Sequence, residues 1–344
     1  MINLNDFHVI RKMRNVWYRL LSLCKDDFYD YECESVRRES ERLRALSKNN
    51  MKWFFRIAIP GIFVNVFMVM VVIPLARLYF NEQQKTDDTA FNVYLPLSVW
   101  SPFNSRTVAG FTFIYTLMLG FASNLLVILL VYISTIFYFY MELIIQIRIL
   151  CFALQKHDER LQLLKDKSIK MEQCNSTLET IEKQAEDNYC ITESLKAPIL
   201  HYLKIREFFD TFQESSSFVF GLMLTVNMLT IVTISLLLTR IDSLLTFDGA
   251  KFCLIFSIEV VNIFIYTYCG SMLIEESRQI QKSLYSINWY GFNSSQKKIL
   301  NIFQIQTASK FLLMAAGLYE INLDTFIQVI QTAYSVFNVF KNLK

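Results

Sequence analysis

Long runs of apolar residues alternate along this chain with strongly charged segments. Four uncharged or nearly uncharged runs each reach the length of about 20 residues that a helix needs to cross a bilayer. They cover residues 57–76, 107–141, 215–239 and 252–274, and only Glu259 interrupts the last. A fifth and weaker run, 311–340, is divided by acidic residues. The pattern predicts an all-α fold, a polytopic transmembrane helical bundle.

The basic residues alternate between rich and poor segments. Lysine and arginine are frequent before the first run, sparse in 81–106, frequent in 151–214, sparse near residue 245, frequent in 275–310, and few in the tail. Cytosolic loops of membrane proteins carry the excess of basic residues. We therefore expect the N-terminus in the cytosol and the C-terminus outside the cell.

These two patterns together divide the chain into five segments. Residues 1–52 form a cytosolic N-terminal segment. Residues 53–150 hold the first two transmembrane helices with an outer loop at 81–106. Residues 151–214 form a cytosolic helical loop, 215–274 hold two further transmembrane helices, and 275–344 hold cytosolic helices and the C-terminal helix.

The segment 151–214 has charges at three- and four-residue spacing, with leucines such as Leu154, Leu161 and Leu164 between them. This spacing is typical of amphipathic helices. We interpret the segment as extensions of the second and third spans that pack together. A solvated charged loop is the alternative.

Composition excludes several function classes. The chain is 53% hydrophobic with a net charge of +3, so bulk charge indicates no nucleic-acid partner. None of the seven cysteines forms a C-x-x-C pair, and the chain starts without the pattern of a cleaved signal peptide. It has no Walker loop, no H-E-x-x-H and no G-x-S-x-G, and His8, His157 and His201 stand alone on helices expected to be solvated. We expect no catalytic residue, metal or cofactor, and thus no enzyme.

The last helix has a mixed face. At helical spacing, one side of residues 325–343 carries Thr332, Ser335, Val339, Asn342 and Leu343. The polar members are able to replace part of an ion's hydration shell, and Val339 and Leu343 suit a constriction that closes by dewetting. An amphipathic helix packed on a neighbour is the alternative.

Four landmarks in order resemble insect odorant receptors, over about residues 24–344. They are Leu95-Pro96 followed by Trp100-Ser101-Pro102 in the outer loop, Tyr268-Cys269-Gly270 with a helix running to Trp289-Tyr290, the patch Ala315-Ala316-Gly317 after 304–313, and the terminal pattern from Tyr319 to Phe337. The family has seven spans, and the first span here aligns with the family's third. We therefore expect the first two spans to be missing.

The resemblance implies a tetrameric, ligand-gated, non-selective cation channel. In that family a tuning receptor assembles with a shared co-receptor in the plasma membrane of olfactory sensory neuron dendrites, and small volatile molecules open it. The C-terminal helices of four subunits line the pore, and membrane lipid surrounds the complex. Carried onto this chain, the resemblance places the gate at Val339 and Leu343 and a polar ring at Asn342.

The ligand pocket is expected in the outer half of the bundle. Its candidate linings come from the first, second and fourth spans: Met70, Ile73, Pro74, Arg77, Tyr79, Phe111, Phe113, Tyr115, Phe256, Glu259 and Ile263. Any one of the aromatic residues could instead face lipid or core. An ionisable residue within a span favours a functional role for Glu259, and a structural hydrogen bond to Asn227 or Asn262 is the alternative.

Two other functions stay open on the sequence. A G-protein-coupled chemoreceptor is disfavoured by the span count and by a basic, cytosolic N-terminus. A truncated subunit that assembles without conducting is compatible with the missing spans. Odour-evoked current in the absence of nucleotides would distinguish a channel from both.

Overall fold

The computed structural model describes residues 15–24, 28–79, 95–96, 107–172, 180–239 and 246–342. These residues are almost entirely helical. The helices are α1 (15–24), α2 (Glu34–Phe67), α3 (Ile73–Tyr79), α4 (Val108–Gln155), α5 (His157–Glu172), α6 (Thr180–Thr239), α7 (Phe247–Tyr285), α8 (Ser294–Thr307) and α9 (Leu323–Asn342). A π-helical turn, Met68–Val72, joins α2 to α3. The short strands β1 (Met314–Ala315) and β2 (Tyr319–Glu320) pair antiparallel.

The all-α membrane fold predicted from the sequence is confirmed. Four helical stretches in the described ranges are long and apolar enough to cross a membrane, namely Glu34–Ala76, Val108–Gln155, Asp187–Thr239 and Phe247–Tyr285. Each covers all, or all but one residue, of one of the first four apolar runs and extends beyond it. The outer loop predicted at 81–106 lies outside the described residues apart from 95–96.

The fifth predicted run is not one helix. Residues 314–320 form the β1–β2 hairpin, and α9 begins only at Leu323. Ala316 and Gly317 both have positive φ, 51° and 70°, which reverses the chain between the strands. The apolar count missed this because residues on either side of a tight turn look alike in a hydropathy window. α9 alone has 20 residues, a rise of about 30 Å.

The described chain falls into two compact units. Unit 1 contains residues 1–49, 139–222 and 267–323, and unit 2 contains 50–138, 223–266 and 324–344. The core of unit 1 is aromatic. Phe139 from α4 packs edge-on against Phe208 and Phe212 of α6, with ring centroids 5.8 and 5.9 Å apart. All three side chains have no exposed surface. The described part of 151–214 is helical, and Phe208 and Phe212 of this segment pack against α4, which ends at Gln155.

Local signals explain where the helices of unit 1 begin. Asn293 accepts a hydrogen bond from the backbone N–H of Gln296, whose side chain accepts one from the N–H of Asn293. This reciprocal cap starts α8. Asp158 and Glu159 occupy the first turn of α5, where carboxylates stabilise the positive end of a helix.

Unit 2 exposes much of its apolar surface. Phe121, Val127, Ile128 and Val131 of α4 are each more than half exposed. Such a surface is unfavourable in water and is the expected one in lipid. Internal contacts join the helices of the unit: Phe54 stacks on Phe137 at 4.0 Å, and the Asn65 amide donates to the Leu254 carbonyl at 3.3 Å.

Candidate ligand and pore sites

The C-terminal helix α9 separates a buried stripe from a polar face. Thr325, Val329 and Ala333, spaced by four residues, are its buried positions. Four of the predicted pore residues lie on the neighbouring face and are exposed in the single chain: Thr332, Ser335, Val339 and Asn342. The fifth, Leu343, lies outside the described residues. The described part of the chain therefore leaves this face uncovered, and of its hydroxyls that of Thr332 donates to the Gln328 carbonyl at 2.8 Å.

A proline in the first span creates one specific polar contact. Pro74 has no backbone N–H, so it cannot donate to the carbonyl of Met70 four residues earlier. The Tyr115 hydroxyl of α4 donates to that carbonyl at 3.0 Å. The π-helical turn that contains Met70 precedes Pro74 directly, with the Ile73 N–H donating to the Met68 carbonyl. The structure thus brings Met70 and Tyr115 together, as a shared pocket requires.

The remaining predicted ligand residues divide by exposure. Phe111 stacks on Tyr115 at 5.8 Å. Ile73, Pro74 and Ile263 are buried, and Phe256 is half-buried. Phe113 and Tyr79 are 52% and 84% exposed, so neither is enclosed by its own chain. The side chain of Arg77 lies outside the described residues.

Glu259 belongs to a polar group within unit 2. Its Oε2 is enclosed and has no hydrogen-bond partner in the described chain, and the same holds for Asn227 Nδ2 and the Tyr132 hydroxyl. Tyr266 hydrogen-bonds to Asn227. The alternative of a structural bond between Glu259 and Asn227 finds no support, because the Asn227 amide nitrogen donates to no group in the described chain and Tyr266 is the partner of Asn227. Unsatisfied polar atoms at this depth are costly, which favours an added water or ligand group.

The hairpin before α9 is fixed to α6 by hydrogen bonds that the sequence did not reveal. Gln213 donates to the Met314 carbonyl at 2.9 Å and accepts from the Met314 N–H at 3.1 Å. Ser217 also donates to that carbonyl, and its own carbonyl accepts from the Ala316 N–H at 2.8 Å. At the other end of the hairpin the Ser271 hydroxyl of α7 accepts from the Leu323 N–H at 2.8 Å.

Two glycines allow this close approach. A Cβ on Gly221 would lie 2.4 Å from the Cβ of Ala316, and one on Gly270 would lie 2.0 Å from the Ile321 carbonyl oxygen. Both distances are shorter than any van der Waals contact. A glycine inside an apolar helical run is the signal that could have located the hairpin contact.

Unit 1 holds a buried arginine at a second proline. Pro198 lies inside α6 and leaves the carbonyl of Ser194 without its helical donor. The Arg160 guanidinium donates to that carbonyl at 2.9 Å and to the Ala153 carbonyl near the end of α4 at 3.1 Å. It also lies over the ring of Tyr31 at 5.0 Å. Burial lowers the pKa of Arg160 and raises that of Tyr31.

The expectation that the lone histidines are solvated is wrong for two of them. His201 has no exposed surface: Tyr31 lies 3.0 Å from Nδ1, and Gln146 Oε1 lies 3.1 Å from Nε2. His157 is 2% exposed, and neither ring nitrogen has a partner in the described chain. Burial lowers the pKa of His157 to about 4. His8 lies outside the described residues.

Comparison with known proteins finds insect odorant receptors that match parts of this chain. Odorant receptor 33b of Drosophila melanogaster is 31% identical over 85 residues, which cover 25% of this chain and 22% of that protein. The odorant receptor coreceptor of Aedes aegypti is 28% identical over 130 residues, or 36% of this chain and 27% of that one. The chain thus matches about a quarter of the length of these curated relatives.

A solved structure shares the fold. The insect olfactory receptor OR5 from Machilis hrabei, in complex with eugenol, superimposes with a TM-score of 0.60 at 13% identity and covers 88% of this chain and 70% of that one. The long apolar helices define the class as a multi-pass membrane protein. The model of the family described as 7tm Odorant receptor matches residues 7–334. The chain belongs to this family of receptors.

Proposed function

We propose that this chain is a subunit of an odorant-gated, non-selective cation channel that assembles with the odorant receptor coreceptor as a heterotetramer. Family membership and the similarity to coreceptors of mosquitoes support the pairing. The subunit would act in sensory transduction, in the plasma membrane of olfactory sensory neuron dendrites. Residues 1–52 and 151–214 would lie in the cytosol.

The face of α9 carries this proposal. Thr332, Ser335 and Asn342 are exposed beside Val339 in the single chain, and hydroxyls and amides exposed to lipid are unfavourable. Four copies of this face around an axis would instead line an aqueous path. Val339 and Leu343 would form the apolar gate, and Asn342 a polar ring.

The ligand would bind in the outer half of the bundle. The contact of Tyr115 with the Met70 carbonyl, beside Phe111, supports a site between the first and second spans. Small volatile molecules gain about 25 cal/mol for each Å² of apolar surface they bury, with few hydrogen bonds. Glu259 would supply one of the few polar groups.

Opening requires that the ligand bind the open state more tightly than the closed one. The hairpin at 314–320 is the part of the chain that leads into α9. Its hydrogen bonds to Gln213 and Ser217 make it a defined mechanical connection between α6 and the start of the pore helix.

Co-expression with the coreceptor tests the proposal. Excised patches without nucleotides, stepped with a panel of volatile odorants, are expected to show odour-evoked cation current only when both chains are present. Coreceptor alone and this chain alone are the controls. Surface complexes that never conduct would contradict the channel and favour a non-conducting subunit, and a nucleotide requirement would favour coupling through a G protein.

A further inference from the structure

A cavity of about 290 Å³ lies in unit 1 between the loop after α1 and helices α5 and α6. Its volume is close to the lower end of the range of about 300–1,000 Å³ that is typical of small-molecule sites. Arg160 lies at its wall, 6% exposed. All the lining residues belong to unit 1.

The charge of Arg160 has no counter-ion in the described part of the chain. Its two side-chain hydrogen bonds go to the carbonyls of Ala153 and Ser194, and no carboxylate is among the groups that shift its pKa. A guanidinium has five N–H donors, so three remain for another acceptor. A buried cation without a counter-ion is costly, and carbonyl dipoles compensate it only in part.

The two carbonyls hold the guanidinium in place before any ligand arrives. Ser194 is buried within α6, where Pro198 leaves its carbonyl free to accept, and Ala153 is buried near the end of α4. The guanidinium carbon lies over the ring of Tyr31, 5.0 Å from its centroid. An arginine fixed in this way loses little freedom on binding a planar anion, and its geometry matches a carboxylate.

The other charges at the cavity limit what the anion can be. Glu32 pairs with Lys167, and Glu193 pairs with Lys196 at 3.2 Å. The Glu32 side chain is 74% exposed, and Asp30 is exposed. Solvent screens these carboxylates more strongly than it screens the buried Arg160. One weakly screened positive charge beside three carboxylates favours a monoanion over a dianion such as a phosphate monoester.

Apolar side chains complete the cavity wall. Leu163 and Leu164 of α5, Ala197 of α6 and the ring of Tyr29 line it. They offer a surface for the body of an organic ligand, while the guanidinium holds its charged end. We propose that this cavity is a binding site for a small organic monocarboxylate, held by Arg160, and separate from the membrane-embedded odorant site.

Binding of benzoate and of its neutral isostere benzamide to the detergent-solubilised full chain tests this. Apparent dissociation constants come from the ligand dependence of the unfolding temperature at fixed ionic strength. Benzoate is expected to bind about ten- to a hundred-fold more tightly than benzamide, the effect of a charge-assisted hydrogen bond. Equal affinities would overturn the proposal.

Variants locate the site. Leu163→Trp fills the cavity and leaves Arg160 in place, so it is expected to weaken benzoate binding at least about ten-fold with little change in the unfolding temperature without ligand. Leu203→Trp, at a 54% exposed position of α6 away from the cavity, is the matched control and is expected to change nothing. Arg160→Gln is expected to bring benzoate to the affinity of benzamide.

Two results would contradict the site. If Leu163→Trp binds benzoate as well as wild type does, the ligand lies elsewhere, for example at the odorant site, and the inference fails. If Arg160→Gln folds and keeps the preference for benzoate over benzamide, the charge of Arg160 is not what selects the ligand. Loss of folding in Arg160→Gln leaves Leu163→Trp as the deciding variant.

Discussion

Any side chain at Gly270 is expected to destabilise the receptor for steric reasons. Its hypothetical Cβ lies 2.0 Å from the Ile321 carbonyl oxygen and 2.9 Å from the carbonyl carbon. The obstacle is backbone, so no side-chain rotation relieves it, and α7 and the hairpin must separate by roughly 1 Å to restore van der Waals contact. Overpacking of this kind costs about 1–3 kcal/mol, although alanine gains about 1 kcal/mol over glycine in helix propensity.

Gly270→Ala and Gly120→Ala form a matched pair, because both glycines lie within membrane-length helices and nothing lies within 4 Å of a Cβ at Gly120. The propensity gain cancels between them, so Gly270→Ala should be the less stable by about 1–3 kcal/mol in thermal unfolding of the purified receptor. Gly221→Ala should be rescued in part by Ala316→Gly, since the clash there is with a side chain. Equal stability of the two single variants would refute the steric reasoning.

Three further outcomes follow from the buried polar groups. His157 has a pKa of about 4 when folded and about 6.5 when unfolded, so the unfolded state binds the proton first as the pH falls. The free energy of unfolding should therefore decrease by about 1 kcal/mol between pH 7.5 and 5.5. His157→Leu should reduce this decrease in melts at a series of pH values, and an unchanged dependence of stability on pH would contradict it. Gln213→Ala should cost about 1–3 kcal/mol by removing both bonds to Met314, with exposed Gln306→Ala as a neutral control in the same melts. Glu259→Leu should keep thermal stability, since the enclosed Oε2 has no partner in the described chain, and it should shift odorant dose–response curves. A lower unfolding temperature with an unchanged dose–response curve would make Glu259 structural.

Much of the architecture could be predicted from the sequence, because a helix that crosses a membrane needs a long apolar run that is easy to recognise. The spans follow from apolar length, and their extension into packed helices follows from charge spacing around residues such as Leu154 and Leu161. The exposed polar face at Thr332 and Ser335 follows from helical periodicity alone.

The contacts that shape the sites could not be predicted in the same way. The bond of Tyr115 to the Met70 carbonyl, and that of Arg160 to the Ser194 carbonyl, join residues far apart in the chain. A proline in a helix indicates that the carbonyl four residues before it lacks its backbone donor, but it does not indicate which side chain will donate instead. His157 also looked solvated because its sequence neighbours are charged, whereas its ring turns inward against Phe292 at 5.8 Å.

Cysteine accessibility along α9 tests the central claim, that its polar face lines an aqueous pore. Ser335→Cys and Tyr334→Cys place thiols at neighbouring exposed positions about 100° apart around the helix. A water-soluble, positively charged thiol reagent applied to complexes with the coreceptor should block current through Ser335→Cys and spare Tyr334→Cys and wild type. Block of Tyr334→Cys with Ser335→Cys unaffected would show that the polar face does not meet the ion path.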